Sequence, residues 1–501
     1  MKPKIQKFAI KLSFAILFSI AFAGVVFGQA GRQKFAHTGA VFQAPIDDVL
    51  TVDLKNDGSG DIILQNRNKL SVFFNAPSAQ QLQSLPVSVD MPQDAFLYCF
   101  ADVNSDSTKD LLMMTPDGIA SCLLKDDSFG SASSLIGFPS VFEGASSSPV
   151  YLEFSCVLNA GKPSDLVIFT GNGYAIFRQG QDGRFALLQE IRISLEMFAD
   201  VFTDDVNEIS FATIFPVFTV SDFNADGRND FFVMKENSTA VFIQDAGGRF
   251  PQKPDFIINS VVYKKKKSAR KKVFYYELPS FIGDINGDKF ADIVSTYPSK
   301  GRTGVFMGNS TPVSYDNPAR LFKLDGWIVN QWVCDINNNN VSEIMLMHMD
   351  KLGIFSGLEA LNSKTISAEL LVYQAGSGGQ YSETPGYTLG VTVPISIVLL
   401  PDKEIDIQSY YVISLEGDYN NDGLKDLLVK TKKDSFDAYF GSTKKIFSTK
   451  PDISEKLNFA GDFPSVRMLV ADLNSDKISD IITVYEKVSG NIGAVELILS
   501  R

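Results

Sequence analysis

The hydrophobic positions of this chain fall into short runs rather than long periodic stretches, and the runs come in pairs. Ile62-Ile63-Leu64, Leu111-Leu112-Met113-Met114, Phe231-Phe232-Val233-Met234 and Ile481-Ile482-Thr483-Val484 are each followed, across a polar turn, by a second apolar run. The second members are Lys69–Phe74, Gly118–Leu123, Gly173–Phe177, Thr239–Ile243, Gly304–Met307, Lys351–Phe355, Phe436–Phe440 and Gly493–Ile498. Short β-branched and aromatic runs bounded by turn residues predict strands, so the pattern predicts eight hairpins and an all-β chain. A further strand follows in the interior units, as at Phe185–Ile191, but the last unit has none because the chain stops at Arg501. His37–Phe42 precedes the first unit and is the candidate for that missing strand. Units recurring at intervals of roughly 50 to 80 residues predict stacked or radial repeats. The offset strand favours a ring closed by its own N-terminus, a β-propeller of four-stranded blades whose closure protects the sheet edges. The count gives eight blades, or seven if the third unit is of another kind. An open solenoid would need capping units that the terminal repeats do not resemble.

Ahead of the first strand of each pair stands a nine-residue polar loop, in its fullest form Asp-x-Asn-x-Asp-Gly-x-x-Asp. Asp222, Asn224, Asp226 and Asp230 supply oxygens at positions 1, 3, 5 and 9, and Gly227 at position 6 permits a sharp turn. Asp418, Asn420, Asp422 and Asp426 repeat the spacing with Gly423; Asp284, Asn286, Asp288 and Asp292 repeat it with Lys289 in place of the glycine. Asp102, Asn104, Asp106 and Asp110 match, as do Asp472, Asn474, Asp476 and Asp480. Two copies are expected to bind more weakly: Asp53, Asp57 and Asp61, with Lys55 at position 3, and Asp335, Asn337, Asn339 and Glu343, with only two charges. A worn eighth copy lies between Cys156 and Asp165. Oxygen-only ligation without His or Cys selects Ca²⁺. An EF-hand is excluded, because position 12 is Leu64, Met113, Val233, Ser295, Leu346, Val429 or Thr483, none a carboxylate, and a strand rather than a helix follows. The loops otherwise read as solvated Asx turns.

Loop-then-strand units of this kind resemble the FG-GAP or VCBS repeats of integrin-α-like β-propellers. The resemblance covers nearly the whole chain after its N-terminal segment. It implies a calcium loop between the first two strands of each blade, held by the residues just named.

Composition fits a folded, exported protein. Of 501 residues 45% are hydrophobic and 40 are Phe, more than one core accommodates but suited to many small cores between blades. Lys2, Lys4, Lys7 and Lys11 before the apolar run Leu12–Phe27 read as a secretory signal within residues 1–30, cleaved after Ala23, Gly28 or Ala30. No later apolar stretch reaches the roughly 18 residues of a membrane span, so a chain that does not span the membrane is expected. Its localisation is then periplasmic, cell-surface or extracellular. The seven better loops hold twenty of the 58 acidic residues, and without the signal's lysines the net charge moves from −12 to −16. Seven Ca²⁺ ions would nearly neutralise it; without them the clustered carboxylates repel one another.

Four other features stand out. Lys264–Lys267 with Arg270, Lys271 and Lys272 form a basic run that reads as a solvated loop or as a site for an anionic partner. No aromatic residues interleave it, so nucleic acid is not expected. Cys99, Cys122, Cys156 and Cys334 show no metal-binding spacing and read as buried thiols, or as containing one bridge, Cys99 with Cys156. Insertions are expected near residues 198–218, 261–276 and 362–409, the last with Tyr373, Tyr381 and Tyr387 as an interaction surface or as part of an extra hairpin. His37 and His348 are the only histidines and neither lies in a nucleophile motif, so a hydrolase or lyase at the channel mouth is the least supported reading. Two others remain: a calcium-dependent scaffold binding protein or glycan through one face, and a structural subunit of an extracytoplasmic assembly such as a surface layer or filament sheath.

Overall fold

The second strand of most repeats is buried along nearly its whole length, Asp110–Thr115 at all six positions, so it must be covered on both faces. The computed structural model shows how. It describes residues 35–500 apart from 76–85, 141–147, 159–163, 194–195, 202–208, 215–216, 236–237, 260–277, 279, 310–317, 352, 377–378, 400–404, 410, 460–462, 464 and 488–490. The signal segment and the basic run therefore lie outside the described residues.

Eight antiparallel blades form an all-β propeller. Blade 1 comprises Asp48–Val52, Asp61–Asn66, Lys69–Phe73 and Val87–Asp90; blade 2, Leu97–Ala101, Asp110–Thr115, Gly118–Cys122 and Ser133–Gly137. Blade 3 comprises Ser155–Cys156, Asp165–Thr170, Gly173–Gln179 and Phe185–Arg192; blade 4, Val217–Ser221, Asp230–Lys235, Ser238–Phe242 and Phe256–Asn259. Blade 5 comprises Phe281–Gly283, Asp292–Tyr297, Arg302–Phe306 and Arg320–Lys323; blade 6, Gly326–Cys334, Glu343–Asp350, Thr365–Tyr373 and Tyr387–Leu399. Blade 7 comprises Val412–Ser414, Leu427–Lys430, Ser435–Tyr439 and Ile453–Lys456. Blade 8 has Ser465–Ala471, Asp480–Glu486 and Ile492–Ser500 from the end of the chain and Phe35–Ile46 from its start. The closing strand pairs from Phe35 with Ser500 to Ile46 with Ile492, so the N-terminus completes the last blade.

The first strands of blades 1 and 8, 2 and 3, and 4 and 5 lie against one another, which places first strands around the centre and fourth strands at the rim. Between successive blades sit separate apolar cores. One joins Phe42, Ile46 and Val49 to Leu473, Ile482 and Val495 across blades 8 and 1; the largest spans blades 2 to 4. In blade 2 a short strand, Val150–Tyr151, runs parallel to the innermost strand and covers its central edge.

Blade 6 departs from the pattern that the sequence predicts. The run Lys351–Phe355, read as a strand, leads instead into an α-helix at Ile354–Ser363, and the third strand of blade 6 is Thr365–Tyr373. Much of the supposed insertion at 362–409 is therefore blade. Tyr373, Tyr381 and Tyr387 are buried in it, 2, 5 and 9% exposed, rather than offered to a partner. The four cysteines are free thiols, as the first of their two readings has it, with Cys99 and Cys156 in the core between blades 2 and 3 and no bridge joining them. The insertion at 198–218 is a hairpin, Glu196–Val201 with Ile209–Ile214. Among the described residues no helix is long and apolar enough to cross a membrane.

Candidate metal centres

Each acidic loop joins the first strand of a blade to the second, so all seven lie on one face of the ring. The seven share one backbone course. The position-6 N–H donates to the position-1 carboxylate: Gly58 to Asp53, Ser107 to Asp102, Gly227 to Asp222, Lys289 to Asp284, Asn340 to Asp335, Gly423 to Asp418 and Lys477 to Asp472, at 2.7–3.0 Å. This wrap needs a left-handed residue at position 6. Gly227 takes φ 82° without strain, but Lys289 and Lys477 adopt 74° and 69° all the same. Holding an L side chain there costs about 1–2 kcal/mol, which the loop's other contacts must offset. The copies expected to be weaker, at Asp53 and Asp335, keep the same wrap.

Position 5 is fixed from two sides. Its carboxylate accepts the position-7 N–H, as Asp226 does from Arg228 at 3.0 Å, and the position-3 amide, as from Asn224 Nδ2 at 3.0 Å. The same amide contact links Asn104 to Asp106, Asn286 to Asp288, Asn420 to Asp422 and Asn474 to Asp476. In the loop at Asp335, Asn337 turns instead to Glu343 at 2.6 Å. With the amides engaged this way, no group of three His, Cys, Asp or Glu side chains converges on one point among the described residues.

The position-9 residue opens the second strand, or in blade 7 directly precedes it, and is buried in every unit: Asp61, Asp110, Asp165, Asp230, Asp292, Glu343, Asp426 and Asp480 are 0–3% exposed. In the six aspartate loops one oxygen accepts the position-2 N–H and the other an N–H at the end of the third strand or just beyond it. Asp230, for example, takes Phe223 N at 2.9 Å and Gln244 N at 2.7 Å, and Asp426 takes Tyr419 N at 2.6 Å and Gly441 N at 2.7 Å. Glu343 takes Ile336 N at 2.9 Å. These bonds do not balance the charge. Burial pushes Asp61, Asp110 and Asp230 up to about 6 and Asp292 and Asp426 up to about 7, and raises Asp480 and Glu343 as well, against the lowering effect of the backbone donors. A buried carboxylate so displaced lacks a counter-cation. The oxygens at positions 1, 3, 5 and 9 are hard donors suited to Ca²⁺, so the residues fit that ion.

The loops also touch one another, which the sequence did not reveal. The position-8 N–H donates to the position-1 or position-2 carbonyl of the preceding blade: Gly60 to Asp472, Lys109 to Leu54, Asn229 to Leu158, Ala291 to Phe223, Ser342 to Ile285, Lys425 to Ile336 and Ser479 to Asp418, at 2.7–3.4 Å. At the remaining junction, blade 2 to blade 3, Gln179 Nε2 donates to Val103 O at 2.7 Å. The loops thus form a hydrogen-bonded belt around the whole face. Where blade 8 meets blade 1, Asp57 and Asn75 of blade 1 and Leu473, Asn474 and Ser475 of blade 8 line a small polar cavity of about 290 Å³.

No family model and no curated protein matches the chain. Among solved structures it is similar to an Agrocybe aegerita lectin described for specific recognition of non-reducing terminal N-acetylglucosamine, at 12% identity and TM-score 0.45, over 87% of this chain and 98% of that one. It is also similar to the V. cholerae biofilm matrix protein Bap1, at 12% identity and TM-score 0.35, over 97% of this chain and 91% of that one. A third is BBS1N in complex with ARL6DN, at 9% identity and TM-score 0.38, over 94% and 98%. These likenesses are loose, and the blade count rests on the hydrogen-bonded sheets of this chain itself.

Proposed function

We propose that this chain is an exported, calcium-stabilised propeller that works as a non-catalytic binding scaffold for protein or glycan, with its metals on one face and its partner on the other. The observation that carries this reading is the division of labour between the two faces. The metal loops occupy the face of first-to-second connections. The longest elements that break the repeat leave from the opposite face, where second-to-third turns and blade-to-blade connections lie: the helix Ile354–Ser363, the hairpin Glu196–Val201/Ile209–Ile214, and the projecting pair Ile395–Leu399/Ile405–Ser409; the extra hairpins on the loop face among the described residues, Leu124–Lys125/Ser128–Phe129 and Gly441–Ser442/Ile446–Phe447, have strands of two residues each. Surface insertions on a rigid frame are where recognition is usually built. Asp, Asn and Glu side chains of the loops would hold Ca²⁺, which supplies positive charge to the buried position-9 carboxylates and keeps the frame rigid.

Replacing residues 196–214 and 395–409, separately and together, by short Gly-Ser links tests the reading. The intact chain is expected to show saturable binding to a component of a glycan panel or of envelope protein extracts, and the double replacement to lose it with melting temperature and calcium content unchanged. Undiminished binding by the double replacement, or none by the intact chain, would overturn the assignment of the face.

A further inference from the structure

Blade 3 has lost the ligands at positions 1 and 5 of its loop, which are Val157 and Gly161, yet its sequence keeps Asn159 at position 3 and the buried Asp165 at position 9. Its bonding is still that of a complete unit. Asp165 Oδ2 accepts Leu158 N at 3.3 Å, as in the other blades. At Oδ1, where the aspartate loops receive a backbone N–H, stands the guanidinium of Arg178, with Nε at 2.7 Å and Nη2 3.4 Å from Oδ2. Its Nη1 reaches Gly248 O in blade 4 at 3.4 Å. The next residue, Gln179, makes the loop-to-loop bond to Val103 O in blade 2 and donates to Gly183 O at 2.8 Å. Consecutive strand residues point to opposite faces, so this pair serves both neighbours of blade 3 at once.

We propose that Arg178 and Gln179 replace the bound cation of blade 3: the guanidinium supplies the missing positive charge and the side-chain amide supplies the missing position-8 donor. Blade 3 is then a metal-independent unit in a ring of metal-dependent ones. A guanidinium suits the role because it is permanently charged, planar and weakly hydrated, and fits a carboxylate with two parallel donors. Blade 3 also lies in the middle of the largest apolar core, spanning blades 2 to 4, so the ring keeps one anchored sector when metal is withdrawn. The inference rests on the calcium reading of the other loops.

Hydrogen exchange of the full chain tests it, comparing strands Asp165–Thr170 and Gly173–Gln179 with Asp230–Lys235 and Leu427–Lys430, in excess Ca²⁺ and in chelator. Chelation is expected to cost blades 4 and 7 about tenfold or more in protection and blade 3 little. Arg178→Met is expected to cost blade 3 about tenfold even in Ca²⁺, because it strands a buried carboxylate, and adding Asp165→Asn to recover most of that. Arg178→Lys keeps the charge without the fork and should fall between. Equal loss in blades 3 and 4 on chelation, or an Arg178→Met chain with blade 3 unchanged, would overturn the proposal. If chelation alters no blade, the calcium reading fails alone, and the Arg178 variants still decide the role of the guanidinium.

Discussion

A chain beginning at Asp48, without the strand Phe35–Ile46, is expected to lose its cooperative melting transition and to associate. Three terms act together. Phe35, Phe42 and Ile46 are buried against blades 7, 8 and 1, and each large apolar side chain contributes about 1.5–3 kcal/mol. His37 clasps the strand in place, with Nδ1 2.8 Å from Glu496 and Nε2 3.5 Å from Glu455. Burial works against its charge, but the hydrogen bonds to Glu455 and Glu496 prevail and raise it to about 9. Without His37 the fully buried Glu496 keeps Tyr485 and Asn458 N but loses its cation. Finally, Ile492–Ser500, buried at all nine positions, becomes an open apolar edge, the kind that pairs with other chains. The loss approaches the roughly 5–15 kcal/mol that holds an ordinary domain together. Size-exclusion chromatography and calorimetry check this, and a peptide spanning residues 31–47 is expected to restore the transition. A truncated chain that stays monomeric and melts unchanged would mean the ring does not depend on its N-terminal closure.

Acidification is expected to stabilise the metal-free chain and destabilise the calcium-loaded one. An aspartate in the unfolded chain titrates near 3.9, whereas Asp61, Asp110 and Asp230 are held at about 6 and Asp292 and Asp426 at about 7 when folded. Between those values the folded state binds more protons than the unfolded state. Stability of the metal-free chain therefore falls as pH rises through this window and is lowest above it. Each carboxylate held near 6 costs on the order of 3 kcal/mol at neutral pH. Calcium reverses the slope, because it binds the deprotonated form and is displaced by protons. Melting temperatures at pH 5 and 7.5, in chelator and in excess Ca²⁺, should therefore show opposite trends. Parallel trends would mean that the buried carboxylates are not what the metal neutralises.

Much of this was legible in the sequence because the repeat writes itself in side chains. Asp and Asn at fixed spacing marked the loops, apolar runs marked the second strands, and the missing last strand pointed to His37–Phe42. Where the signal was backbone, nothing showed. The belt linking Gly60 to Asp472 and its counterparts uses main-chain groups that any residue carries. Lys351–Phe355 was misread because a short apolar run fits strand and helix alike, and the true third strand, Thr365–Tyr373, lay beyond an inserted helix. The tyrosines of that region looked like a surface only because the blade had been placed too early. Arg178 and Gln179 carry no motif; their role follows from Asp165 being buried beside them. A signal was present all the same, an arginine near the end of the third strand in the one unit whose loop lacks ligands at both positions 1 and 5.

Occupation of the loops by calcium is what would hold the ring rigid, and calorimetric melting of residues 31–501 in excess Ca²⁺ and in chelator is the measurement that decides it. If five full loops each contribute about 2–3 kcal/mol at a hundredfold excess over Kd, chelation should lower the melting temperature by on the order of 15 °C for a chain of this size. Mg²⁺ should not restore it, since it dehydrates reluctantly and demands a tighter octahedron. A melting temperature unmoved by chelator would contradict the account, leaving the acidic loops as turns whose hydrogen bonds suffice without a metal.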